Sequence, residues 1–244
     1  MSCCLYCGQE RALVKAHIIP EAFFRDVRGD ASTLYLVKNE PGTHPKRAPI
    51  GVYDRQILCG ECEKTFQNVD DYAAALLIRE RDTAFVRRSF DSGIVYIADQ
   101  FDYHSLKVYI ISVLWRASVS TQQYFSRIDL GERLARAKEM IAARDAGPAG
   151  EFAVVLSRWA VPEKFPLPPN LIADPFETRH DGIRSVHLYL SAFVADVSVE
   201  QRSLPHALDA AILRPFSRLV VPARNLATSK DLRALNPGSG VKCG

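Results

Sequence analysis

Cys4-Leu5-Tyr6-Cys7-Gly8 and Cys59-Gly60-Glu61-Cys62-Glu63 are two Cys-x-x-Cys knuckles in a chain of 244 residues. Two thiolates at that spacing can both turn toward one ion, because the tight turn between them also offers backbone N–H groups to the sulfurs. Four thiolates make the closed tetrahedral set of a structural zinc site. Cys4, Cys7, Cys59 and Cys62 are therefore read as zinc ligands. Gly8, directly after Cys7, fits such a turn, which often needs a positive φ. With 51 residues between Cys7 and Cys59, a loop or hairpin must lie between the pairs. The competing reading, a redox-active Cys-x-x-Cys or free thiols, suits one knuckle better than two. Cys3 is a register alternative to Cys4, and Cys243 reads as a free thiol.

Around these knuckles, residues 1–72 are dense in Cys, Gly, Pro and charge and poor in long apolar runs. Such a segment buries too little surface to hold itself together by packing, so a metal clip makes physical sense. Residues 38–51, with Pro41, Gly42, Pro45 and Pro49, read as a loop. From residue 72 the character changes to helix formers, and 72–88 is expected to be helical. Ile94 to Ile97 reads as a short buried strand, 102–119 as a mostly buried helix and 130–144 as an amphipathic helix stopped by Gly147-Pro148. Residues 151–161 look like a strand, 162–175 carry five prolines and read as irregular, and 186–199 read as a long strand or hairpin arm. Residues 208–221 are ambiguous. The fold class expected is α+β: a zinc-bound module over residues 1–75, followed by a mixed α/β domain over 76–244.

The composition is that of an ordinary soluble globular protein, 48% hydrophobic and 24% charged, with a formal charge of +3. Residues 201–244 concentrate seven basic side chains (Arg202, Arg214, Arg218, Arg224, Lys230, Arg233 and Lys242) against Asp209 and Asp231. That excess is compatible with a polyanion partner or with a solvated surface. The N-terminus lacks a basic n-region and an apolar h-region, and the longest apolar stretch, from Val108 to Leu114, is far short of a membrane span. The expectation is a soluble, cytoplasmic protein with no membrane contact, in which paired cysteines hold metal rather than disulfides.

Ala16-His17-Ile18-Ile19-Pro20 follows the first knuckle, and Tyr53-Asp54-Arg55-Gln56-Ile57-Leu58 runs into the second. At these residues the chain resembles the HNH (His-Me finger) endonucleases of the zinc-containing type. In that family a Cys-x-x-Cys precedes a strand bearing Asp/Glu-His-Ile-Ile-Pro, and an Asn-Leu-x-x-Leu-Cys-x-x-Cys-His segment starts the helix of a ββα-metal fold. The resemblance covers roughly the first 75 residues. It implies a metal-dependent hydrolysis of phosphodiester bonds in nucleic acid, DNA before RNA, in a setting such as bacterial defence.

The resemblance places His17 on the general base that deprotonates the attacking water, a role suited to a neutral imidazole. Asp54, five residues before Cys59, stands where the family has the Asn that holds the base, and would hydrogen-bond the His17 ring. Glu63 stands on the final His, a ligand of a catalytic Mg²⁺ or Mn²⁺. Ala16 replaces the usual acidic metal ligand. Asp70 or Asp71 is the candidate to supply the missing carboxylate, and Asp70 shares a helix face with Glu63 at an offset of seven.

Read without the family, His17 is a packed strand residue, Asp54 a turn cap and Glu63 a helix N-terminal acid. His44, His104, His180, His187 and His206 show no metal-ligand spacing, and Trp115-Arg116 reads as core plus a snorkelling cation. Arg87, Arg88, Arg133, Arg136 and Lys138 could contact phosphate, but helix faces of this kind are usually just solvated. Nothing from 73 to 244 carries a phosphate loop, a Gly-x-Ser-x-Gly or a dinucleotide fingerprint. That part is expected to serve nucleic acid, an activating ligand, a protein partner or a homo-oligomer. The alternatives to a nuclease are a non-catalytic zinc-knuckle module that binds nucleic acid or protein, and a purely structural subunit.

Overall fold

The cysteine-rich start of the chain folds into short strand pairs and two helices. A computed structural model describes residues 2–38, 44–48, 50–160, 171–201 and 206–225. Strands β1 (Ser2–Cys3) and β2 (Glu10–Arg11) form an antiparallel knuckle. Strand β3 (Ala16–His17) leads through Pro20 into α1 (Glu21–Arg28), and then come β4 (Tyr35–Val37), β5 (Lys46–Arg47) and β6 (Tyr53–Asp54). β6 returns antiparallel to β3 and runs into α2 (Gly60–Ala74), so an antiparallel pair is followed directly by a helix. β5 lies in the stretch read as loop, and residues 39–43 and 49 are outside the described residues.

The expected helix over 72–88 does not form as one element. α2 ends at Ala74, a π-helical turn (Ala75–Arg79) continues it, and α3 (Arg81–Ala84) adds one turn. Phe85 is buried against Phe193, with ring centroids 5.1 Å apart, and takes an extended backbone there. The chain therefore leaves as strand β7 (Val86–Phe90), which pairs with β8 (Gly93–Ala98) in a hairpin. Strand pairing and one buried ring outweigh the helix propensity of the segment.

The next two helices follow the local signals. α4 (Tyr103–Val119) starts at Asp102, whose side chain accepts from the Ser105 N–H at 3.1 Å. It is apolar nearly all round and accordingly buried, packing against α2 and against α5 (Arg133–Ala143). Arg144 closes α5 in the left-handed conformation.

The remaining strands are β9 (Val154–Ala160), β10 (Leu171–Ala173), β11 (Phe176–His180), β12 (Ile183–Leu190), β13 (Phe193–Ser198) and β14 (Leu219–Asn225). Five of them join the β7–β8 hairpin in one seven-stranded sheet, in the order β11-β12-β13-β9-β14-β8-β7, antiparallel except for the parallel β9–β14 pair. β10 instead lies parallel to β4, which also pairs with β5. The proline-rich stretch is outside the described residues over 161–170, and 186–199 is a hairpin.

The described chain is thus mixed α and β, 33% helical and 31% strand. One continuous apolar core joins Ile18, Phe23 and Phe66 of the first segment to Trp115, Leu156 and Phe193 of the rest. No helix among the described residues is long and apolar enough to cross a membrane.

Candidate functional site

Cys4 and Cys7 sit in the turn between β1 and β2, where the Gly8 N–H donates to the Cys4 carbonyl at 2.8 Å and Gly8 holds φ +72°. The left-handed conformation expected of Gly8 is therefore present. Two backbone bonds tie this knuckle to the approach to α2, Leu5 N–H to the Ile57 carbonyl and Val14 N–H to the Leu58 carbonyl, each 2.9 Å. Cys59 caps α2 and Cys62 lies in its first turn, so the second pair is presented by a helix start.

The four sulfurs lie within 4.8 Å of one another, and those of Cys7 and Cys59 are 4.0 Å apart. Tetrahedral thiolate sites have sulfur–sulfur separations of about 3.8 Å, given Zn–S bonds of about 2.3 Å. Four cysteines thus stand where they can share one metal ion such as zinc. Burial pushes the Cys4 thiol up, but the N–H groups of Cys7, Cys59 and Tyr6 outweigh it and bring the pKa down to about 6. Burial and the neighbouring thiols push Cys62 the other way. Four adjacent thiolates repel one another, and a divalent cation removes that conflict. Cys3 is exposed and outside the group, and Cys243 lies outside the described residues.

His17 lies in β3 beside this clip, half-buried, with its ring 6.0 Å from that of Tyr53 across the strand pair. Burial first, and then the charges of Lys15 and Arg116, lower its pKa; Glu21 and a hydrogen bond to the Ile50 carbonyl oppose this. The imidazole is therefore neutral near pH 7. Its Nε2 is buried with no hydrogen-bond partner and stands 4.0 Å from Glu21 Oε2.

Asp54 does not orient that ring. In the β3–β6 register Asp54 is opposite Ala16, and His17 is opposite Tyr53, so the two side chains leave on opposite faces of the pair. The buried Asp54 carboxylate instead accepts from Gln56 N–H at 2.8 Å, Thr121 N–H at 2.7 Å, and the hydroxyls of Ser120 and Thr121.

Glu63 does come to His17, but through the backbone: its carboxylate accepts from the His17 N–H, and Glu63 Oε2 is buried without a hydrogen-bond partner. Burial raises the Glu63 pKa; Asp70 adds to this, and Arg116 opposes it. Glu63 and Asp70 do share one helix face toward Arg116. Asp70, however, is committed: Arg116 grips its two oxygens at 2.7 and 2.9 Å and also donates to the His17 carbonyl at 2.9 Å. Arg116 does not snorkel, because its side chain is fully buried and carboxylate-paired. Asp71 is exposed. No third ligand-type side chain joins Glu63 and Asp70 among the described residues, so they do not form a carboxylate cage for a second ion.

Elsewhere, His44 is exposed, and His104 faces Asp145 at 3.4 Å. The His206 side chain is outside the described residues. His180 and His187 depart from the sequence reading: with Asp196 they form the second group of metal-ligand type among the described residues. No spacing in the sequence signals that group, because three different strands contribute to it. Arg87 and Arg88 are exposed on β7, and Arg136 is tied to Glu151 and Glu139. Of the C-terminal basic residues, Arg202, Lys230, Arg233 and Lys242 lie outside the described residues, as does Asp231. Arg214 pairs with Asp209, and Arg218 with Asp99. Comparison with protein-family models, with curated proteins and with solved structures found no match to this chain.

Proposed function

We propose that this chain carries an HNH-like, zinc-clipped ββα module that hydrolyses phosphodiester bonds in nucleic acid, DNA being the favoured substrate, with His17 as the general base. The observation that supports this reading is that His17 and Glu63, joined by the His17 N–H at the contact of β3 with α2, each carry an orphaned buried atom, Nε2 and Oε2. Buried polar atoms are nearly always paired, so each orphan suits an ion, a water or a substrate oxygen. Mg²⁺ commonly takes only one or two protein carboxylates and completes its shell with water and substrate phosphate. Glu63 is the residue that would hold it, and the ion would supply charge stabilisation at the phosphate. Asp54 and Asp70 have no part in this scheme: the first positions the 120–121 turn, and the second neutralises Arg116.

A second reading, a non-catalytic zinc-knuckle module that binds nucleic acid or protein, is favoured by those same commitments and by Ala16. Incubating the full chain with supercoiled plasmid and with single-stranded DNA, in Mg²⁺ or Mn²⁺, separates the two. Nicking is expected, and His17→Ala should lower its rate by about 10²–10⁴-fold while the four cysteines keep their metal. Intact substrates with wild type and His17→Ala alike would exclude catalysis and leave the binding module.

A further inference from the structure

Three side chains meet on the large sheet that the nuclease reading does not use. His180 closes β11, His187 lies in β12, and Asp196 in β13 is directly opposite His187. Asp196 Oδ2 is 2.5 Å from His180 Nε2 and 3.1 Å from His187 Nε2. The two imidazoles stack with centroids 5.9 Å apart, and Phe176 lies against the His187 ring at 5.0 Å. All three ligand-type atoms fall within 4.8 Å of one another.

Side-chain exposure rises from 5% at His187 through 14% at Asp196 to 30% at His180, so the group is closed on one side and open on the other. Asp196 Oδ1 is buried and accepts no hydrogen bond among the described residues. Burial raises the Asp196 pKa, but the two imidazoles outweigh it and bring it to about 2, which keeps the carboxylate ionised.

We propose that His180, His187 and Asp196 form a second metal site that takes one borderline divalent transition-metal ion, zinc in the first instance, with a coordination position left open on the His180 side. Imidazole nitrogen suits zinc, copper, iron and nickel, and a single carboxylate adds an anionic donor without making the site hard enough for Mg²⁺ or Ca²⁺. Three protein ligands with one position free is the arrangement of reactive zinc sites, whereas the four cysteines near the N-terminus leave no position free. The pairing of β12 with β13 holds two of the donors at adjacent positions before any ion arrives. On binding, Asp196 exchanges its hydrogen bonds from the imidazoles for the ion, and the proton of each ring moves from Nε2 to Nδ1, which frees the Nε2 lone pair for the metal.

Cobalt(II) titration of the metal-free full chain tests this, because the two sites differ in sulfur. The cysteine site produces intense thiolate-to-cobalt charge transfer in the near ultraviolet, and a His₂Asp site produces only weak visible d–d bands. Two equivalents are expected for wild type, the second without charge transfer. His180→Ala removes a partly exposed side chain and should leave the fold and the charge-transfer equivalent intact. It should weaken the second equivalent by more than the roughly 10–100-fold caused by losing a mere supporting residue. Asp196→Asn should do the same. If wild type binds a single, sulfur-ligated equivalent, or if the second equivalent survives both substitutions, the three residues are a hydrogen-bonded cluster without metal affinity. Neither result depends on whether DNA is cleaved.

Discussion

Asp54 is fully buried and held by four donors from Gln56, Ser120 and Thr121. Burial pushes its pKa up; those hydrogen bonds outweigh it and hold the carboxyl below its usual range. A depressed folded-state pKa contributes stability that is fully present above the unfolded value, about 3.9, and is lost as pH falls through the folded one. Asp54→Asn should therefore cost about 1.5–3 kcal/mol at pH 7. The gap from wild type should narrow below about pH 4, and urea melts at pH 7 and pH 3 measure it. Arg116 makes the complementary case. Arg116→Met strands the Asp70 carboxylate in the interior and should cost about 3–5 kcal/mol. Adding Asp70→Leu should recover a good part of that loss in thermal melts, and a further loss would show that the pair itself is stabilising. His17 could be singled out from its own neighbours in the sequence. The Ser120 and Thr121 partners of Asp54 and the Asp70 partner of Arg116 could not, since they lie 66–67 and 46 positions away.

Among the elements, the loop that returns the chain to β6 has one position where only glycine fits. Gly51 has φ +82°, and a Cβ there would sit 2.2 Å from Phe24 Cδ2. Gly51→Ala adds overpacking to left-handed strain and should cost at least about 2 kcal/mol. Gly8→Ala, at φ +72° with nothing within 4 Å, should lose only the conformational part, about 1–2 kcal/mol. Paired melting curves of metal-loaded protein rank them, and equal losses would mean that Phe24 yields freely. Legibility differed from element to element for identifiable reasons. α4 and α5 carry their own stop and start signals, Asp102 and Gly147-Pro148 among them. The π turn and β7 carry none: their course is set by the burial of Phe85 and by pairing with β8.

Across the whole molecule, Ile57, Leu58 and Phe66 belong to the same core as Trp115, so the cysteine clip and the later helices are expected to unfold together. Stripping the metal with a chelator should lower the melting temperature by at least about 10 °C, given the size of structural zinc affinities. The transition should stay single. Calorimetry showing a second transition confined to the N-terminal segment would contradict that coupling. Short-range spacing was enough to single out Cys4, Cys7, Cys59 and Cys62, because each Cys-x-x-Cys is a local pattern, with Gly8 free to take positive φ after the first and a helix start carrying the second. The same holds for the capped helices. The neighbours of Asp54, the burial of Arg116 on Asp70 and the meeting of His180, His187 and Asp196 followed only from strand register and helix packing. A shift of one residue along a strand turns every side chain to the other face, and no local window contains the partner that fixes that register.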